Sequence, residues 1–297
     1  MSEPALPPTS KDSPLTGIVM MLTAMAILPV TDAAAKYMTV AIPALQLVWA
    51  RYVFQMLTLL PVGVAKLGTG VFRSNNLRLQ LARSLILTIG TVFFFAALQT
   101  MPLADALAVF FLSPILTTMF SPLVLGEHVG PWRWSAVVLG FAGALLVIRP
   151  GFQTFTPGLV FAIGSGFTYA GYALITRKLA GTDHPLVTLN MTGLVGAGAA
   201  SLILPFVWVM PTAEQWGLML LMGVVSAFGH MLIILAYERS SASGLAPFAY
   251  AEIVSAAALG YWLFGDFPSA VTWTGILTIV TSGIVIAWRE GVRRRRG

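Results

Sequence analysis

The sequence contains an internal repeat that covers most of its length. A shift of 139 positions superimposes matching residues of the two halves: Ala97 on Ala236, Gly126 on Gly265, Glu127 on Asp266 and Trp134 on Trp273. A shift of 141 positions adds two pairs near the start of each half: Gly17 on Gly158 and Lys36 on Arg177. Each half holds about five apolar segments, and an odd number forces the two copies to cross a membrane in opposite directions. Inverted repeats of this kind are typical of alternating-access transporters.

The composition indicates a polytopic membrane protein. Hydrophobic residues make up 57% of the chain and charged residues 9%, with a mean hydropathy of +0.85, whereas a soluble domain has roughly 25% charged residues. A membrane-spanning helix needs about 20 mostly apolar residues. Ten segments, numbered span 1 to span 10, meet this requirement: 15–36, 44–64, 80–99, 103–123, 132–149, 158–178, 186–208, 215–237, 242–264 and 270–288. The predicted fold class is therefore all-α integral membrane, with ten transmembrane helices as two inverted five-helix repeats.

The chain divides into two repeats with a short tail at each end. We expect a disordered cytoplasmic tail over 1–14, a first five-helix repeat over 15–149, a second, inverted repeat over 158–288, and a basic cytoplasmic tail over 289–297. The segments outside the spans are too short to fold alone. The N-terminus lacks the cationic segment and cleavage site of a signal peptide, so we expect span 1 to be retained.

The net charge of +6 follows the topology of the bundle and does not require a nucleic-acid partner. With both termini placed in the cytoplasm, fourteen of the seventeen basic residues lie on the inner side: Lys11, Lys66, Arg73, Arg78, Arg83, Arg133, Arg177, Lys178, Arg239, Arg289 and Arg293 to Arg296. This bias satisfies the positive-inside rule and predicts a multi-pass protein of the bacterial inner membrane with cytoplasmic N- and C-termini. The C-terminal arginines are interpreted as a topology anchor near anionic lipid.

Ionisable side chains inside the spans are candidates for function, because each costs about 2.5 to 3.5 kcal/mol at a helix centre. Asp32 and Lys36 are four residues apart near the outer end of span 1, where they can pair with each other or serve as a gate. Arg51 lies inside span 2, and its guanidinium can bind a substrate carboxylate or hold a neighbouring helix through carbonyl groups. The sequence leaves both alternatives open.

Spans 8 and 9 add a histidine and a glutamate to these candidates. His230 can bind substrate or relay protons, or it can be a neutral histidine that bonds to a neighbouring helix. Glu252 lies in span 9 and Tyr250 on the opposite stripe of the same helix, so we expect that they do not both face one cavity centre.

Mixed polar and aromatic stripes predict a pocket between the helices. Span 3 carries Phe95 and Gln99 on one stripe, and span 6 carries Tyr169 and Tyr172. Two such stripes facing inward would form a pocket for a ring with a few polar contacts. The cavity candidates are Arg51, Phe95, Gln99, Phe111, Tyr169, Tyr172, His230, Tyr250 and Glu252. The alternative for each phenylalanine is a position facing lipid.

Catalytic signatures are missing from the sequence. It has no HExxH, GxSxG, CxxC, Walker A or GxGxxG motif, so metalloprotease, serine hydrolase, redox and ATP-driven chemistry lack their required parts. Without cysteine there can be no disulfide and no thiolate metal site. We therefore expect neither an enzyme nor a bound cofactor or metal.

Three sequence segments carry a resemblance to a known family. They are Pro114-Ile115-Leu116 through Leu125-Gly126-Glu127-His128 to Trp134, its counterpart Leu263-Phe264-Gly265-Asp266 with Trp273, and Trp49-Ala50-Arg51-Tyr52 in span 2. From Leu15 to Trp288 the chain resembles the drug/metabolite transporter superfamily, in its ten-helix EamA-type branch. It departs from the pattern in the second half, where Asp266 replaces a glutamate and Ile253 stands at the position of Pro114.

The resemblance implies a basket of ten helices around a central cavity. Spans 3, 4, 8 and 9 line this cavity together with spans 1 and 6, and spans 5 and 10 lie outside. It also implies export of small metabolites, and the chain is similar in general character to the YddG-type aromatic amino acid exporters. We therefore expect a monomer in the lipid bilayer that exports amino acids, aromatic or otherwise hydrophobic, by alternating access. The alternatives are another cargo (nucleosides, cationic drugs or a cofactor) and a non-transporting scaffold or intramembrane enzyme. Proton coupling and facilitated diffusion both remain open.

Overall fold

The computed structural model describes residues 14–126, 130–148, 156–179, 182–239, Leu245 and 248–294. Within these ranges the chain forms helices and loops and no strand. The α-helices are α1 Pro14–Met38, α2 Ala44–Leu67, α3 Leu77–Ala97, α4 Leu103–Phe110, α5 Leu112–Leu125, α6 Pro131–Ile148, α7 Pro157–Lys178, α8 Pro185–Ile203, α9 Ala213–Arg239, α10 Ala251–Phe264 and α11 Ala270–Arg294. Short 3-10 segments follow α2 and α8, at Gly68–Phe72 and Leu204–Phe206.

The helices confirm the all-α membrane fold. Seven stretches are long and apolar enough to cross a membrane, with α4 and α5 together forming one of them. Three shorter apolar helices, Val137–Val147, Ala251–Phe264 and Ala270–Ser282, correspond to spans 5, 9 and 10. Of the expected tails, 1–14 and 289–297, residues 1–13 and 295–297 lie outside the described residues. Helix α11 continues through most of the predicted basic tail, to Arg294.

Span 4 is divided at Phe111, which separates α4 from α5. Phe111 has φ −68° and ψ 3°, so the helix does not continue smoothly through it. Pro114 contributes to this break, because it has no N–H to donate to the carbonyl group of Phe110, four residues earlier. Phe110 and Phe111 thus lie at an interruption of a helix that the sequence predicts as continuous.

The second repeat has the same interruption at the equivalent position. The 139-residue shift superimposes α5 on α10, and the residue before α10 is Tyr250, with φ −69° and ψ −11°. Both helices end at a glycine in the left-handed conformation, Gly126 with φ 67° and Gly265 with φ 72°, where a residue without Cβ has no steric penalty. Position 253 is not a proline, so the break belongs to the repeat and not to Pro114 alone.

Packing between the helices follows the repeat as well. Helix α1 packs mainly on α9. In the repeat, α7 is equivalent to α1 and α3 is equivalent to α9, and α7 packs on α3 to a similar extent. Helix α2 is equivalent to α8, and α6 is equivalent to α11, so each of these two pairs joins a helix to its own counterpart in the other half. Both pairs make extensive contacts. Beyond each other, α6 and α11 contact mainly α4 and α5, which agrees with peripheral positions for spans 5 and 10. The bundle is therefore built from two repeats with pseudo-twofold symmetry.

Glycine allows the closest helix approaches. A Cβ atom at Gly196 in α8 would lie 2.6 Å from Cδ2 of Tyr52 in α2. In the α6–α11 pair, a Cβ at Gly143 would lie 2.9 Å from the carbonyl oxygen of Gly275. Since lipid gives no hydrophobic drive for helix association, close van der Waals packing of this kind stabilises the bundle.

Candidate functional site

Four ionisable side chains from both repeats meet inside the bundle. Asp32 of α1 interacts electrostatically with Arg51 of α2, and Glu252 of α10 interacts with both. His230 of α9 also lies within electrostatic range of Arg51. We call Asp32, Arg51, His230 and Glu252 the charged cluster. Asp32 is buried, whereas the other three remain partly accessible despite their central positions, as expected for side chains that line a hollow.

The position of Glu252 follows from the interrupted helix. Because α10 begins at Ala251, Glu252 lies in its first turn. The partial positive charge of a helix N-terminus favours a carboxylate there, by about 0.3 to 1 kcal/mol at exposed sites. The break at Tyr250 thus brings a helix terminus and an acidic side chain to the charged cluster.

Arg51 holds two helices together and keeps donors free. Its Nε donates a hydrogen bond of 3.0 Å to Oγ of Ser226 in α9, and its guanidinium carbon lies 6.0 Å and 5.9 Å from the ring centroids of Tyr52 and Phe95. No other hydrogen-bond partner of Arg51 occurs among the described residues. The Nη groups can therefore bind a ligand while Nε bridges α2 and α9.

His230 has one ring nitrogen engaged. Its Nδ1 lies 2.8 Å from the carbonyl oxygen of Ser226, four residues earlier in α9. A carbonyl oxygen only accepts, so Nδ1 carries the hydrogen and donates it, which leaves Nε2 as an acceptor. The bond lies within α9 and does not reach a neighbouring helix, and the side chain presents a second polar atom.

The predicted pairing of Asp32 with Lys36 is wrong. Lys36 Nζ lies 2.8 Å from Oδ2 of Asp266, which follows α10, and donates to the carbonyl oxygen of Met101 at 2.8 Å. It also lies 5.1 Å from the ring centroid of Phe264. The long lysine side chain at the end of α1 reaches these loops, whereas Asp32 faces the bundle interior. We call the contacts of Lys36 with Met101 and Asp266 the outer tie, because the predicted topology places them on the outer side.

Five aromatic rings form a continuous row across the repeats. Tyr250 lies 5.3 Å from Phe111, which lies 6.1 Å from Phe110. Phe110 lies 4.8 Å from Tyr169 in α7, and Tyr169 lies 5.2 Å from Tyr172. These centroid distances fall in the range of favourable ring pairs. We call this set, from Tyr250 to Tyr172, the aromatic row.

The remaining predicted residues have distinct environments. Phe95 is 0% exposed and lies beside Arg51, so its ring is packed inside the bundle and contacts no lipid. Gln99 is exposed, because α3 ends at Ala97 and the expected helical stripe does not extend to it. Tyr250 packs on Phe111 while Glu252 faces Asp32, so the two side chains have different neighbours.

Arg83 is a buried cation that the sequence interpretation assigned to the inner-side charges. Its residue surface is 2% exposed, and its guanidinium carbon lies 4.7 Å from the ring centroid of Tyr172. Its nitrogens donate to five neutral acceptors on α3, α7 and α8: Thr176 Oγ1 at 2.8 Å, Tyr172 Oη at 3.1 Å, Thr192 Oγ1 at 3.1 Å, Gln80 Oε1 at 3.2 Å and the Thr188 carbonyl at 3.4 Å. The position of Arg83 inside predicted span 3 was the sequence feature that could have indicated its burial.

A second polar network lies next to Arg83, in the loops on the predicted inner side. Asp183 accepts hydrogen bonds from Ser74 Oγ at 2.6 Å, from the Asn75 backbone N–H at 2.8 Å and from Gln80 Nε2 at 2.9 Å. Partial desolvation raises the pKa of Asp183, but these hydrogen bonds together outweigh it and hold the pKa below the ordinary value of 3.8. The network joins the α2–α3 loop to the α7–α8 loop.

Metal-ligating side chains do not cluster in the described part of the chain. Within it, no three histidine, aspartate or glutamate side chains come together as a possible metal site.

Comparisons with known proteins match the whole bundle. A family model described as the EamA-like transporter family matches residues 15–149 and again residues 156–288. The chain is 24% identical to an S-adenosylmethionine uptake transporter of Rickettsia prowazekii, over 93% of this chain and 94% of the relative. It is 29% identical to a riboflavin transporter of Vibrio cholerae, over 96% and 97%, and 27% identical to a pseudopaline exporter of Pseudomonas aeruginosa, over 92% and 96%. A solved crystal structure with 22% identity superimposes with a TM-score of 0.67, over 93% of this chain and 99% of that one, and supports the fold.

Proposed function

The chain belongs to the EamA-like transporter family, and from this premise we propose that it exports a small ring-bearing zwitterion, with aromatic amino acids as the leading class, across the bacterial inner membrane. The observation that carries the proposal is the charged cluster beside the aromatic row, inside a bundle of two repeats. Transport, and not catalysis, is the activity proposed.

The charged cluster suits the head group of an amino acid. Two carboxylates, Asp32 and Glu252, face the single guanidinium of Arg51. When an ammonium group arrives, it stabilises both carboxylates in their ionised form and balances the second negative charge. The free Nη donors of Arg51 can bind the adjacent substrate carboxylate as a fork. A zwitterion with both charges on one carbon therefore finds partners of both signs within one cluster.

The aromatic row suits the ring of the same molecule. It starts at Tyr250, two residues before Glu252, and leads away from the charged cluster through Phe111 and Phe110. A ring packed on such a row gains about 0.5 to 1.5 kcal/mol per aromatic pair beyond its buried area. A head group in the cluster and a ring against the row thus satisfy both halves of the molecule.

Alternating access is the proposed mechanism of movement. The outer tie links the end of α1 to the loops before α4 and after α10, and so closes the predicted outer side. In an inverted-repeat bundle the two halves rock against each other around a fixed central site. We propose that export requires this tie to open.

A cofactor-like cargo with a fused heteroaromatic ring is the second candidate. Two relatives are named for S-adenosylmethionine and for riboflavin, and the aromatic row offers a surface for such rings. Riboflavin carries no charge, so it would use the row and not the charge pairing of the cluster.

A competition panel in proteoliposomes tests the proposal. Purified protein is reconstituted, and uptake of labelled L-tryptophan is challenged with other amino acids, S-adenosylmethionine, riboflavin and a nucleoside, with and without an imposed pH gradient. The proposal predicts saturable uptake that aromatic amino acids compete most strongly, and loss of this uptake in Glu252→Gln. Saturable uptake of labelled riboflavin, with no tryptophan flux, would establish the second candidate in its place.

A further inference from the structure

We propose that Arg83 forms a second, anion-binding subsite at the far end of the aromatic row, which selects cargo bearing a distal carboxylate. This inference rests on the proposed function, because it assumes that the amino-acid head group occupies the charged cluster. The subsite would recognise a second charge of the cargo, in addition to the contacts made by the charged cluster and the aromatic row.

The charge of Arg83 is not balanced by an acidic partner among the described residues. The five acceptors around Arg83 are hydroxyl, amide and carbonyl oxygens, which are neutral. The described residues form one salt bridge, between Lys36 and Asp266, and Arg83 takes no part in it. Asp183 is linked to it only through the amide of Gln80, which bonds to both. An arginine inside a membrane bundle without an acidic partner is costly, and such residues mark pathways for charged substrates.

One N–H of the Arg83 guanidinium has no acceptor among the described residues. The guanidinium group carries five N–H bonds, two of them on Nη2. Nη2 donates to the Tyr172 hydroxyl at 3.1 Å, and in the described part of the chain no acceptor takes its second hydrogen. Nε and Nη1 are already engaged with threonine, glutamine and backbone oxygens. The free N–H therefore belongs to the nitrogen that contacts Tyr172.

The guanidinium of Arg83 lies at one end of the aromatic row. Tyr172 is the last ring of the row, remains partly accessible, and stacks on the Arg83 guanidinium at 4.7 Å. At the other end, Arg51 lies over the ring of Phe95. Phe95 follows Arg83 by twelve residues in α3, so the backbones of these two residues are about 18 Å apart along the helix axis. His230 lies within electrostatic range of both arginines. The two guanidinium groups thus lie at different levels along α3.

A carboxylate at the far end of an elongated cargo would complete the subsite. One carboxylate oxygen can accept the free N–H of Nη2, and the carboxylate can replace the Tyr172 hydroxyl as the acceptor of the other N–H of Nη2. The bonds to Thr176 and Thr192 hold the guanidinium in place. Charge-assisted bonds of this kind are roughly twice as strong as neutral ones. The subsite therefore favours a ring-bearing amino acid with a second acidic group over the same molecule without it.

The test uses amino acids of increasing length. The probes are L-phenylalanine, 4-carboxy-L-phenylalanine and 4-(4-carboxyphenyl)-L-phenylalanine, together with the carboxamide counterpart of each acid. The measured quantity is the ratio of apparent affinities for acid and carboxamide in proteoliposomes. Wild-type protein is expected to prefer the acid about tenfold or more at one of the two lengths. In Arg83→Gln the ratio is expected to fall close to one.

Two further variants keep the test decisive. Arg78→Gln removes the same charge from an exposed position on the same helix and is expected to leave the ratio unchanged. Arg83→Lys keeps the charge without the fork and is expected to reduce the ratio about threefold or more, which decides the outcome if Arg83→Gln does not accumulate. An unchanged ratio in the Arg83 variants, or no acid preference in wild type, overturns the inference while leaving phenylalanine transport as evidence for the function. Absence of phenylalanine transport overturns both.

Discussion

The outer tie predicts a measurable gate on the predicted outer side. Lys36→Gln removes an ion pair of 2.8 Å and a charged donor to the Met101 carbonyl. The side chains of Lys36 and Asp266 are 15% and 34% exposed, so solvent screens part of their attraction. Together the two contacts stabilise the closed state by about 1 to 2 kcal/mol. Their loss should raise the outward-open population about 5- to 30-fold.

Accessibility labelling measures this change directly, because the native chain has no cysteine. Ala104→Cys places a thiol in the first turn of α4, where the residue is 1% exposed, and Val40→Cys places one where the residue is 92% exposed. An impermeant maleimide added from outside should label position 104 about 5- to 30-fold faster in the Lys36→Gln background. Labelling at position 40 should be fast in both backgrounds.

A graded variant separates the two contacts of the outer tie. Asp266→Asn removes the ion pair but leaves the bond from Lys36 to Met101. Its effect on labelling at position 104 should be at most about fivefold, because partly exposed pairs contribute about 0.2 to 1 kcal/mol. Equal labelling of position 104 in all three backgrounds would refute the gate. Rapid labelling of position 40 only from the inner side would refute the predicted topology.

Three other predictions concern packing, cargo and pH. Gly196→Leu should lower the thermal unfolding temperature in detergent, because its Cβ would lie 2.6 Å from a tyrosine ring carbon, whereas Gly198→Leu, with no atom within 4 Å, should not. Tyr169→Ala and His230→Ala should reduce flux at least tenfold with smaller losses of folded protein, and parallel losses of both would contradict their assignment to the cavity. The pKa of Asp183 lies below 3.8, so its stabilisation is present above about pH 4 and lost as pH falls further. Asp183→Asn should remove this acid dependence from the unfolding temperature, and an unchanged dependence would contradict it.

The architecture could be predicted because its signals are local. Apolar length identifies membrane spans, and the repeat shift that superimposes Gly126 on Gly265 also superimposes the left-handed glycines that end α5 and α10. The charged cluster was visible for a similar reason. Asp32, His230 and Glu252 lie inside apolar segments, where an ionisable side chain has few positions other than the interior.

The partners of these side chains could not be predicted, because they depend on long-range packing. Lys36 has an acidic residue four positions earlier on its own helix, yet its partner is Asp266, 230 positions away. Arg83 resembles the surface cations near it in the sequence, and its acceptors on α7 and α8 lie about a hundred positions further along the chain. Gln99 was misplaced because periodicity does not show that α3 ends at Ala97.

Exchange across a reconstituted membrane tests most directly whether this protein carries a ring-bearing amino acid. Proteoliposomes are loaded with unlabelled L-tryptophan or left empty, and entry of labelled L-tryptophan is measured in both. Loaded vesicles should take up label faster than empty ones, because a carrier that alternates returns faster when occupied, and Glu252→Gln should abolish the difference. Entry at the rate of protein-free liposomes, with either loading, would contradict the account.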